Sequence, residues 1–220
     1  MNKMSALIKL ENVTKKYGDK KVLNNISISI SEGEYVSIVG ASGTGKSTLL
    51  NIIGTLDKNF EGEYWYKDKK LCKSELDSFR NRHIGYIFQQ YNLLPELTCY
   101  ENVLLPYVYY EGTRKNIEQR VKALFQEFGL EEQIDQEVST LSGGEKQRIA
   151  LIRSIVLNPD IILADEPTGN LDKKNSYNVQ CLLEKLNGDG KTIVVVTHDE
   201  EFADKASLKL CVENGGIYEN

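Results

Sequence analysis

The stretch Gly40-Ala41-Ser42-Gly43-Thr44-Gly45-Lys46-Ser47-Thr48 satisfies every fixed position of the phosphate-binding pattern G-x-x-x-x-G-K-[ST]. The apolar run Tyr35-Val36-Ser37-Ile38-Val39 before it predicts a buried strand. Leu49-Leu50-Asn51-Ile52-Ile53 after it predicts a helix. The pattern needs that setting. Its glycines let backbone N–H groups turn inward without a Cβ clash, and a helix N-terminus adds positive potential where phosphates sit. Lys46 can then reach the β- and γ-phosphates, and Ser47 can ligate Mg²⁺. Gly40, Ser42, Gly43, Thr44, Gly45, Lys46, Ser47 and Thr48 form the expected phosphate-binding set.

Working outward, three more apolar runs end in polar residues. Ile84-Gly85-Tyr86-Ile87-Phe88 ends at Gln89, Ile161-Ile162-Leu163-Ala164 at Asp165-Glu166, and Thr192-Ile193-Val194-Val195-Val196 at Thr197-His198. Runs apolar on both faces suit parallel strands covered by helices. In open α/β sheets, ligands bind beyond the carboxyl ends of such strands. Four strands delivering chemistry at one end imply one shared nucleotide site.

The opening of the chain reads differently. Leu7 to Val13 predicts a first strand. Ile26, Ile28 and Ile30 alternate with Ser27, Ser29 and Ser31, which predicts a half-buried strand, and Tyr64-Trp65-Tyr66 predicts another. This part is therefore β-rich and partly antiparallel. From about 91 to 157 helix formers dominate, so a mainly helical subdomain is expected there, broken at Gly112-Thr113 and periodic from Asn116 to Phe128. Ser142-Gly143-Gly144-Glu145 fits a capping box. The helix it opens carries Ile149, Ile152, Ile155 and Val156 on one side and stops at Asn158-Pro159. A short helix after His198 and a hairpin around Gly215-Gly216 close the chain.

Bulk properties bound the function. With 220 residues, 40% hydrophobic and 27% charged, the chain suits one soluble globular domain, residues 1–220. No apolar run approaches the ~18–20 residues of a membrane span. Met1 to Lys9 lacks the apolar region of a secretory signal, so a cytoplasmic protein is expected. A net charge of −5 argues against nucleic acid as a partner. Cys72, Cys99, Cys181 and Cys211 are scattered without C-x-x-C spacing, which predicts reduced, mostly structural thiols.

With the phosphate loop, Leu141-Ser142-Gly143-Gly144-Glu145 and Asp165-Glu166 in that order, the sequence resembles an ABC-type ATPase, the nucleotide-binding subunit of ABC transporters. The resemblance runs from about Leu7 to the C-terminus. Asp165-Glu166-Pro167-Thr168-Gly169-Asn170-Leu171-Asp172 and Phe88-Gln89-Gln90-Tyr91-Asn92-Leu93-Leu94-Pro95 look like the subgroup serving lipoprotein release, macrolide export and antimicrobial-peptide export, and its cell-division member. Glu145 stands where Gln is commoner, and Gly169-Asn170 where Ser-Ala is commoner. These departures bear only on subgroup placement.

The resemblance implies an α/β fold: a P-loop NTPase (RecA-like) core, an antiparallel β subdomain and the inserted helical one. It implies ATP with Mg²⁺. Tyr17 would stack on adenine, Asp165 would hold the Mg²⁺ shell with Ser47, and Glu166 would be the general base. Gln89 would touch Mg²⁺ or the attacking water and sense the partner, and His198 would contact the γ-phosphate. Ser142, Gly143 and Gly144 would complete the site of the opposite subunit in a homodimer, and Asp172 would couple the two sites. The partner would be an integral membrane permease on a separate chain, placing the protein on the inner face of the cell membrane. The docking surface would lie around Gln89 to Tyr110. Leu93-Leu94-Pro95 and Tyr107-Val108-Tyr109-Tyr110 are either its contact residues or packing within the helical insert. Export or release of a peptide, lipoprotein or drug-like substrate is expected. A cell-division or regulatory role that moves no substrate is the alternative.

Overall fold

The computed structural model describes residues 6–110, 114–169 and 173–219. Two sheets organise them. Strands β1 (Ala6–Tyr17), β2 (Lys20–Ser31), β4 (Glu61–Tyr66) and β5 (Lys69–Leu71) form an antiparallel sheet in the order β2-β1-β4-β5. Ile26, Ile28 and Ile30 of β2 are buried while Ser27 and Ser29 are exposed, as the alternation predicts. Strands β3 (Tyr35–Val39), β6 (Ile84–Ile87), β7 (Ile161–Asp165), β8 (Thr192–Val196), β9 (Leu208–Glu213) and β10 (Gly216–Glu219) form the second sheet, ordered β10-β9-β3-β8-β7-β6. Its first five strands in chain order are parallel, and β10 closes a hairpin on β9. Strand β9 was expected only as hairpin, but it also pairs parallel with β3.

Period two decides which side of this sheet each residue covers. Val36, Ile38, Ile161, Leu163, Val194 and Val196 join a core shared with the antiparallel sheet and with α1 (Lys46–Ile53). Ile162, Ala164, Ile193 and Val195 face a second core. That second core also takes residues of α3 (Cys99–Leu104), α4 (Arg114–Glu127), α5 (Gly143–Ile155) and α6 (Lys173–Gly188). Strands β7 and β8 are therefore apolar on both faces. Helix α2 (Leu76–His83) drops Leu76 and Phe79 into the first core, and α7 (Glu200–Ala203) follows β8. Among the described residues no helix is long and apolar enough to cross a membrane.

Candidate functional site

The phosphate-binding stretch forms the turn between β3 and α1. Two close approaches require its glycines. A Cβ on Gly40 (φ 146) would lie 2.4 Å from the carbonyl oxygen of Val212 in β9. One on Gly45 (φ 109) would lie 2.8 Å from Val22 Cγ1 in β2. The two sheets thus pinch the loop from opposite sides, and a side chain at either position would push it out of shape. Thr44 Oγ1 donates to Ala41 O at 2.9 Å and tightens the same turn. Lys46 is buried, and its Nζ donates at 2.9 Å to both Gly40 O and Ala41 O. The ammonium rests on carbonyl oxygens, acceptors that an incoming phosphate can replace. Ser42 and Ser47 are exposed, and Thr48 is half-buried in the first turn of α1.

The carboxylates stand at the end of β7. Ser47 Oγ donates to Asp165 Oδ1 at 3.2 Å. Burial pushes the Asp165 carboxyl above its ordinary value and Glu166 adds to this, against the hydrogen bond from Ser47 and the charge of Lys46. The Ser47 and Asp165 oxygens together suit a hard divalent cation that takes oxygen ligands. Glu166 has a φ of 44°, a left-handed conformation unusual outside glycine, while its N–H continues the ladder to Val196 O at 2.9 Å. Around its carboxylate, Gln89 Nε2 donates to Oε2 at 3.3 Å and His198 Nδ1 stands 3.4 Å from the same oxygen. Three parallel strands therefore bring Gln89, Glu166 and His198 to one point, although they are widely separated in sequence.

Tyr17 closes β1 at the turn into β2. Its ring is 54% exposed. The strand it leads into carries Val22 and Leu23, the residues nearest to Gly45. Ser142, Gly143 and Gly144 sit elsewhere, at the start of α5. The expected capping box is present: Ser142 N and Oγ reach Glu145 Oε2 at 2.8 and 2.6 Å, and Glu145 N returns to Ser142 Oγ at 3.4 Å. Among the described residues no hydrogen bond joins these three to the phosphate loop. Asp172 lies outside the described residues, as do Asn170, Leu171 and the break at Gly112-Thr113.

The region after Gln89 divides. Leu93, Tyr107 and Tyr110 pack against the second core, whereas Leu94, Val108 and Tyr109 are exposed, Tyr109 at 81%. A groove of about 810 Å³ runs beside them, lined by Arg80, Phe88, Pro106, Tyr109 and Arg153 among others. Arg153 went unread in the sequence. Its guanidinium holds the carbonyls of Tyr91 and Asn92 at 2.5 and 2.6 Å, where two successive positive φ angles bend the chain after Gln89. Burial pushes its pKa down to about 10. An arginine within an apolar helix stretch was the only hint. Gln147, which is buried, donates to Pro167 O at 3.2 Å and ties α5 to the segment after Glu166.

Comparisons with known proteins agree on one family. A family profile described as ABC transporter matches residues 23–169. An uncharacterized ABC transporter ATP-binding protein of Methanocaldococcus jannaschii, MJ0796, is 50% identical over 96% of this chain and 95% of its own length. The lipoprotein-releasing system ATP-binding protein of Cytophaga hutchinsonii is 44% identical over 97% of this chain and 100% of its own. A macrolide export ATP-binding/permease protein of Bartonella quintana is 42% identical over 94% of this chain, but this chain spans only 33% of that protein. Among solved structures, the dimeric post-hydrolysis state of MJ0796 bound to ADP and Pi superposes with a TM-score of 0.86 at 43% identity, covering 97% of each chain.

Proposed function

Because this chain belongs to the ABC transporter family and is an ATP-hydrolysing cassette, we propose that it works as a dimer closed around two ATP molecules and drives a membrane permease. The observation that carries the dimer is the separation of two phosphate-seeking elements. Gly40–Thr48 and Ser142–Gly144 both present backbone N–H groups at helix N-termini, yet among the described residues no hydrogen bond joins them within one chain. A two-fold dimer brings the second element of one subunit to the phosphates held by the first element of the other. The dimeric MJ0796 structure supports this reading.

Within each site, Lys46 leaves the Gly40 and Ala41 carbonyls for the β- and γ-phosphates, and Tyr17 stacks on adenine. Ser47, Asp165 and Gln89 would hold Mg²⁺, which when bound would neutralise phosphate charge. Among the described residues no group of three or more His, Cys, Asp or Glu could cage a metal by itself. Glu166 takes the proton of the attacking water, held in place by Gln89 and His198. Val108, Tyr109, Leu94 and the adjoining groove form the docking face for the permease, and the cassette sits on the inner surface of the membrane. The macrolide-export and lipoprotein-releasing relatives support export or release of a peptide, lipoprotein or drug-like substrate over a signalling role that moves none.

The test is Ser142→Arg together with dilution. Specific ATPase activity should rise with protein concentration, and Ser142→Arg should keep ATP binding to the monomer while hydrolysis is lost. Full turnover by demonstrably monomeric protein, with Ser142→Arg silent, would end the shared-site reading.

A further inference from the structure

Tyr17 is exposed, yet it is held at two points. Its hydroxyl donates to Asp57 Oδ2 at 3.1 Å, and the Nζ of Lys15 lies 4.7 Å from its ring centroid. Lys15 is 4% exposed. It donates to Asp57 Oδ1 at 2.9 Å, stands 2.7 Å from Oδ2 and donates to Asn59 O at 2.8 Å. The N–H of Asn59 also donates to Asp57 Oδ1 at 3.0 Å. Asp57 in turn is anchored to the phosphate-loop helix, because its N–H donates at 3.1 Å to the carbonyl of Asn51 in α1. That helix begins with Lys46 and Ser47. One residue, Asp57, therefore joins the exposed ring through its carboxylate to the phosphate-loop helix through its backbone.

We propose that Asp57, held by the buried Lys15, is a positioning residue that fixes the Tyr17 ring as a base platform at a set place relative to the phosphate loop. The proposal rests on the reading that Tyr17 stacks on the base. A free tyrosine would lose rotamer freedom on binding, whereas a clamped ring has lost it already. Immobilising one such side chain corresponds to roughly two- to tenfold in affinity. Lys15 covers one face of the ring with a cation, so the exposed remainder is what a base can use. Burial tends to raise the Asp57 carboxyl, but the hydrogen bonds from Lys15, Asn59 and Tyr17 and the Lys15 charge hold it below its ordinary value. The acceptor of the Tyr17 hydroxyl thus stays ionised at neutral pH.

The experiment compares titrations of the full chain with ATP and with inorganic tripolyphosphate, which has no base. Tyr17→Phe deletes only the hydroxyl and leaves the Lys15–Asp57 pair intact, so it does not threaten folding. ATP affinity should fall roughly two- to tenfold in Tyr17→Phe, with tripolyphosphate affinity unchanged. Tyr17→Ala should lose roughly tenfold or more for ATP. Asp57→Asn should move in the same direction as Tyr17→Phe, and the double variant should lose no more than the worse single one, because both cut one link. Wild-type ATP affinity in Tyr17→Phe alongside a weakened Tyr17→Ala would overturn the clamp while keeping the stacking. Wild-type affinity in Tyr17→Ala would remove the stacking and the clamp with it. An equal loss of tripolyphosphate binding in Tyr17→Phe would assign the hydroxyl to general structure and also overturn the proposal.

Discussion

Strand β7 has an aspartate at each end, and the two live under opposite conditions. Asp160 stands just before the strand and Asp165 closes it. Asp160 Oδ2 receives His83 Nδ1 at 2.6 Å and the hydroxyl of Tyr66 at 3.0 Å. Burial tends to raise its carboxyl, but these two hydrogen bonds and the nearby positive charge hold it below its ordinary value. Asp165 has Ser47 as its hydrogen-bond donor and Glu166 as a like-charged neighbour, and burial pushes it up. The first aspartate is finished within the fold. The second is only partly offset, by the hydrogen bond from Ser47 and the charge of Lys46. The nucleotide end of the sheet also keeps a left-handed glutamate and a lysine resting on carbonyls. Strain and unmet charge are tolerated where they are used.

The strongest break of this contrast is Glu166→Gln. It preserves shape but removes the base, so turnover should fall by ~10²–10⁴ while ATP still binds and holds the dimer closed. Steady-state phosphate release and nucleotide binding measure the two halves. Near-normal turnover would move the base elsewhere, with His198 next in line. Asp165→Asn sharpens the contrast further. A carboxyl with a raised folded pKa contributes stability that is present at low pH and lost as pH rises through that value. At neutral pH its charge therefore costs stability, and Asn relieves the cost. Without nucleotide or metal, Asp165→Asn should melt above wild type at pH 7, the gap closing as pH falls into the carboxylate range, even as hydrolysis collapses. A lower melting point for Asp165→Asn would show that the charge is already compensated.

Nucleotide chemistry was legible because it is written in short-range spacing. The loop glycines, the Ser142–Glu145 box and the apolar runs ending at Gln89, Asp165-Glu166 and His198 each carry their meaning within a few residues. The alternating isoleucines of β2 placed their own faces. What stayed hidden depends on contacts across the chain. Val212 against Gly40, Val22 against Gly45, Arg153 on the Tyr91 and Asn92 carbonyls and Asp57 beneath Tyr17 all join distant segments. Helix α6 was also unread, and so was α2, whose mean polarity masks the two residues, Leu76 and Phe79, that fasten it. Phe88 was expected inside β6, but the strand ends at Ile87 and Phe88 stacks on Tyr86 instead, with ring centroids 4.3 Å apart.

The smallest effect belongs to the finished end. Because a carboxylate only accepts, the 2.6 Å contact assigns the proton to His83 Nδ1. Tyr66 also packs against Phe79 and His83, at centroid distances of 4.8 and 4.7 Å, so the polar cluster is fastened to the first core. Asp160→Asn keeps an acceptor for Tyr66 but loses the charge. The pair is partly exposed, with side-chain exposures of 30% and 44%, so solvent weakens it. The expected loss is about 1 kcal/mol, or roughly 2–4 °C for a chain of this size. The sign with pH is the reverse of that at Asp165. A lowered folded pKa gives stability that is present above the unfolded carboxyl value and is lost as pH falls through the folded one. The wild-type advantage over Asp160→Asn should therefore hold at neutral pH and vanish in strong acid, with ATP turnover per folded molecule unchanged throughout. Thermal melts across pH, paired with phosphate release at a temperature where both proteins are folded, test this directly. A turnover defect without a stability defect would mean that the two ends of β7 are coupled and that the far end serves catalysis as well.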